Sequence, residues 1–196
     1  MESIGRRQAT QRRPQAFTLV ELLVVITIVE NLVLLLLPAI NAAREAARRN
    51  GCMANLSQLG VALSNYNLAH EVFPPGVVDE QGPIANVREG YHQGWLVYLL
   101  PYVEEAATYR HIDKSKGVYH EDNLPVPRVV SVAMFQCPSS WSDRRNELGE
   151  AVSDYAACHH DEESPIDADD HGVFYLNSAV RQRHVTDGLT KTIFVG

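Results

Sequence analysis

Hydrophobic positions change their rhythm twice along this chain. From Phe17 to Leu37 nearly every residue is apolar. A helix of 21 residues is about 30 Å long, which matches the hydrocarbon core of a bilayer. Further on, Leu56, Leu59, Leu63 and Tyr66 recur at steps of three and four, one apolar stripe of an amphipathic helix with Asn55, Gln58 and Asn65 on its polar side. Between the two lies an Ala-rich stretch, residues 39–50, that favours helix. The pattern therefore predicts one helix from Phe17 to about Leu68, with Pro38 bending it where the lipid-facing half gives way to the core-facing half. Phe73-Pro74-Pro75-Gly76 ends it.

After Gly76 the apolar runs are short and the loops polar. Trp95–Tyr102 is an apolar run closed by Pro101, and residues 103–109 suit a helical turn or two. Residues 129–135, 172–175 and 192–195 read as short strands bounded by turn residues. Short strands without long helices between them predict an antiparallel sheet, hence an α+β fold with the long helix packed on it. The expected segments are a leader at 1–16, a membrane helix at 17–37, an amphipathic helix at 38–69 and a globular domain at 70–196.

Charge sharpens this division. The net charge of −7 is the sum of +3 on the first 16 residues and −10 on the rest. Arg6, Arg7, Arg12 and Arg13 before the span favour a cytoplasmic N-terminus, although Arg44, Arg48 and Arg49 follow it. The acidic remainder argues against nucleic acid as a partner. Three cysteines, Cys52, Cys137 and Cys158, allow one disulfide and leave one thiol over; spacing does not choose the pair.

The stretch Ala16-Phe17-Thr18-Leu19-Val20-Glu21 behind Arg12-Arg13 resembles the processing site of type IV prepilins and type II secretion pseudopilins. The resemblance implies cleavage between Ala16 and Phe17, methylation of the new N-terminus, and Glu21 as the fifth mature residue. Pro38 would be the twenty-second, where many pilins carry a helix-bending proline. Ala16 stands where that family usually has Gly. The similarity extends through Leu37–Arg49, Cys52–Leu63, Phe73–Gly76, Leu99–Tyr102, Phe135–Ser139 and Thr186–Ile193 to a large bacterial pilin-like group with a domain of unknown function. Its members usually continue with a further His and Asp-Gly segment, so the resemblance implies a fragment or a truncated member.

Candidate chemistry is sparse. Glu21 alone in lipid is costly unless neutral or paired. The resemblance implies that a neighbouring subunit's N-terminal amine pairs with it and sets the stagger of packed helices. Glu30 lies mid-span with no role to assign, and Asn31 beside it is suited to a hydrogen bond between helices. Asp167, Asp169 and Gly172 stand at positions one, three and six of a calcium-type loop, but Ser178 replaces the expected Glu at twelve. A solvated acidic loop is the preferred reading, so no cofactor is expected, and Asp167 and Asp169 are the weak candidates for calcium. Cys158-His159-His160 with His171 lacks the usual zinc spacings. No nucleophile, phosphate-loop or metalloprotease motif is present, so the expectation is not an enzyme.

The expected function is a pilin-like or pseudopilin-like structural subunit, single-pass in a bacterial inner membrane with its C-terminal domain periplasmic or extracellular. Its partners would be the membrane, a prepilin peptidase and other pilin-like subunits. The alternative is a membrane-tethered ligand-binding module with no filament role. A secreted enzyme behind an ordinary signal peptide fits worst, because the apolar run is too long for a signal core.

Overall fold

A computed structural model describes residues 18–84, 87–141 and 144–196, with the side chains of residues 128 and 129 set aside. The proposed processing site at Ala16 and Phe17 lies outside these residues. The elements are α1 (Leu19–His70), β1 (Val77–Val78), β2 (Gln93–Gly94), α2 (Trp95–Leu99), α3 (Ala106–His111) and α4 (Pro125–Val129). The fold is α+β, a long N-terminal helix packed against a small antiparallel sheet in which Val77 faces Gly94 and Val78 faces Gln93. By their contacts the residues form two compact units that divide between Arg44 and Glu45.

In the first unit every side chain from Thr18 to Arg44 is exposed. Leu34 and Leu35 are 72% and 74% accessible. The helix continues through Pro38, which has no N–H to offer the Leu34 carbonyl. This segment is long and apolar enough to cross a membrane.

The second unit, Glu45–Gly196, holds the core. The stripe Leu56, Leu59, Leu63 and Tyr66 is the inward face of α1, with Ala62 completing it. It joins Phe73, Trp95, Leu99, Leu100, Val103, Phe135, Tyr155, Val173 and Phe174 in one cluster. Phe174 is 1% exposed, with its ring 5.7 Å from Trp95 and 6.1 Å from Phe194. Gly76 admits this packing: a Cβ there would lie 1.9 Å from the Phe174 carbonyl oxygen.

The three expected strands are corrected. Residues 125–129 are helical and Ala133–Phe135 a 3-10 turn. Pro125 in the first turn pre-sets a helical φ, and Val130 N–H closes on the Val126 carbonyl. Residues 172–175 and 192–195 make strand-like hydrogen bonds, Phe174 N to Cys158 O and Cys158 N to Phe194 O. Their partner stretch is too short for a ladder, and only the bridge Ala157–Val195 forms there.

Candidate functional site

The helix start is where sequence placed the most chemistry. Thr18 directly precedes α1, and its Oγ1 accepts from Glu21 N–H at 3.3 Å. Glu21 Oε2 in return accepts from Thr18 N–H at 2.8 Å and from the Thr18 hydroxyl at 2.7 Å. This reciprocal pair is a capping box, which satisfies backbone donors that a helix start leaves orphaned. The Thr-x-x-Glu spacing ahead of an apolar run is itself the sequence signature of this cap. Within the span, Thr27 donates to Val24 O at 2.9 Å and Asn31 to Thr27 O at 2.8 Å. Asn31 thus makes one donor bond within its own helix.

The structure bonds Cys52 to Cys137, with Cα atoms 4.8 Å apart, and leaves Cys158 as a free thiol. Around the bond, residues 136–139 lie along α1. Asn55 donates to Gln136 O at 2.9 Å, and the Ser139 hydroxyl to Glu45 Oε1 at 3.2 Å. Gly51 permits the approach, since a Cβ there would meet Pro138 Cγ at 3.0 Å. Glu45 also pairs with Arg48, whose guanidinium holds the carboxyl below its usual range.

Asp167 and Asp169 do not meet as a calcium site. Asp167 Oδ1 accepts from Ala168 N–H at 2.7 Å, and Asp169 is exposed. Asp170 is the organising carboxylate: its Oδ2 accepts from Asp167 N–H at 3.0 Å and lies 2.8 Å from His159 Nδ1. Burial raises the Asp170 pKa, but the hydrogen bonds from Asp167 and His159 outweigh it and the net shift is downward. Asp79 repeats the pattern, with burial opposed by the N–H groups of His92, Glu80 and Gln81 and a net lowering. Among the described residues, the metal-ligating side chains that do converge are His160, Asp161 and His171.

An apolar cavity of about 240 Å³ lies among Leu96, Leu100, Ile112, Val126, Phe135 and Val152. The polar side chains on its wall include Thr108, which donates to Glu105 at 2.6 Å, and Asn123, whose amide bonds Asp113 O and Gly117 O. With these two committed to the protein, the cavity suits an apolar guest.

No curated protein and no solved structure matches the chain. A family profile matches residues 41–196, four-fifths of the sequence, and so takes in the whole of the second unit. The chain belongs to the family SBP_bac_10, described as a protein of unknown function (DUF1559).

Proposed function

We propose that this chain is a pilin-like, membrane-anchored structural subunit, cut between Ala16 and Phe17, methylated at Phe17, and assembled through its apolar helix. Type II secretion and type IV pilus-like assemblies are the settings in which such a subunit works. The proposed topology is single-pass in the inner membrane, N-terminus cytoplasmic, with the second unit periplasmic or extracellular. Prepilin peptidase and other pilin-like subunits are the proposed partners, and no catalytic step is assigned to the chain.

The observation that carries this reading is an unburied apolar helix whose one early carboxylate, Glu21, is already held in place. Thr18 occupies Oε2, so Oε1 is the oxygen offered to a neighbour's amine. Such pairing neutralises both charges in a medium that penalises either alone.

Glu21→Gln tests it, because Gln keeps a capping-box acceptor and removes the charge. The variant is expected to be processed, with mass spectrometry finding N-methyl-Phe17 at its start, but to fail in assembly measured by cross-linking of membranes. An intact Met1, a cut elsewhere, or normal assembly of the variant would sink the proposal.

The apolar cavity favours a second reading, a tethered module that binds an apolar ligand. Under that reading Glu21→Ala leaves localisation and binding intact, while Leu96→Trp, which fills the cavity, abolishes binding.

A further inference from the structure

His160 and His171 are eleven residues apart and come from two backbone segments that hydrogen bonds clamp together. Gly172 N–H donates to His159 O at 2.7 Å, and Phe174 N–H to Cys158 O at 3.2 Å. Gly172 makes the approach possible: a Cβ there would lie 2.6 Å from the Cys158 carbonyl oxygen. The His159–Asp170 contact and the Asp170–Asp167 bond brace the same loop from the other side. The two imidazoles are therefore presented by an ordered frame rather than by independent surface rotamers.

Their geometry suits a shared ion. His160 Nε2 stands 3.2 Å from His171 Nδ1. Two nitrogens bound to one tetrahedral zinc at its usual bond length are about 3.3 Å apart. His160 Nδ1 lies 2.8 Å from Asp161 Oδ1. The Glu162 backbone N–H also points at His160 Nδ1, at 3.0 Å, and these contacts on Nδ1 orient the ring so that Nε2 is the nitrogen facing His171. One ligand atom from each of His160, Asp161 and His171 lies within 4.8 Å of the others. The His160 side chain is 19% exposed and that of Asp161 81%, so the carboxylate is free to swing toward an arriving cation at little cost. Two imidazoles and one carboxylate favour a borderline divalent metal over calcium or magnesium, which prefer oxygen.

We propose that His160, His171 and Asp161 form a binding site for one divalent transition-metal ion of the zinc type, with the remaining coordination position open to water. The site lies wholly within the second unit and does not depend on the membrane helix or on any filament role.

The test is calorimetric titration of Zn²⁺ into the full chain in detergent without reductant, together with Co²⁺ absorption to report coordination by nitrogen and oxygen. One Zn²⁺ per chain is expected, undisturbed by excess Ca²⁺. His160→Ala and His171→Ala each weaken binding by about tenfold or more, and Asp161→Asn weakens it as well. His171 is exposed and His160 partly buried, and circular dichroism checks that the variants keep the wild-type fold. Cys158→Ser and His184→Asn leave binding unchanged. Zn²⁺ affinity that survives loss of both His160 and His171, a site abolished by Cys158→Ser, or displacement by Ca²⁺ overturns the proposal.

Discussion

The two units of this chain solve the problem of apolar surface in opposite ways. Residues 18–44 bury no side chain, and among the described residues Glu21 bonds Thr18, Thr27 bonds Val24 and Asn31 bonds Thr27, all within this one segment. The unit from Glu45 onward is short in regular structure after α1 ends at His70, yet it encloses Leu59, Leu99 and Phe174 almost completely. Regularity and burial are thus separated in one molecule. A helix meets its backbone needs internally, which is the condition for standing in lipid. A loop-rich unit cannot, and relies on a shared core, tight glycine contacts and a covalent bond.

The largest effect that would sharpen this comparison is loss of the disulfide. Closing a loop of 85 residues removes unfolded-state entropy worth about 4.5 kcal/mol. Cys137→Ser should lower the urea midpoint of the second unit accordingly, while membrane partitioning of the chain stays as it was. Partitioning that changed together with the midpoint would break the separation of the two units.

Phe174→Ala comes next, at about 3–5 kcal/mol in the same urea transition, because it empties the centre of the aromatic cluster. The complementary change, Leu32→Arg, places a charge within the apolar span. It should cost about 3 kcal/mol in a membrane-insertion assay and leave the urea transition of the second unit unmoved.

The smallest effect is an acid one. Asp79 and Asp170 have folded pKa values below their ordinary ones. Groups of that kind stabilise the fold above the unfolded pKa of about 3.9 and lose that contribution as pH falls through the folded value. Thermal midpoints of the second unit should therefore be level near neutrality and decline below about pH 4. In Asp170→Asn the decline should be shallower.

Much of the helix was legible because its signal is periodic and local. The expected end near Leu68 falls two residues from His70, and the inward stripe Leu56, Leu59, Leu63 and Tyr66 follows from spacing alone. The helical turn expected within residues 103–109 appears as Ala106–His111, whereas Trp95–Leu99, read only as an apolar run, is helical as well. Residues 129–135 misled because β-branched residues favour strands only when a partner strand exists; Pro125 started a helix there instead. The stretches 172–175 and 192–195 pair with a few residues around Cys158, a contact of long sequence separation that no local pattern encodes. On sequence, His160 and His171 group together but are set aside for want of a zinc-type spacing, because their approach, too, depends on a contact that spacing does not encode. The cause of that approach is Gly172, whose missing side chain lets two loop segments touch, and a single glycine in a polar stretch carries no signal of that.

The Cys52–Cys137 bond also has a mechanical consequence. If the chain is pulled by its membrane helix at one end and its C-terminus at the other, tension crosses from Cys52 to Cys137 through the sulfur atoms. The 84 residues between them, from Met53 to Gln136, are bypassed. At about 3.5 Å per residue, roughly 290 Å of contour length stays locked while the bond is intact. A subunit under load would then lengthen in two regimes set by its redox state: a short extension when oxidised, and a far longer one once the thiols are reduced.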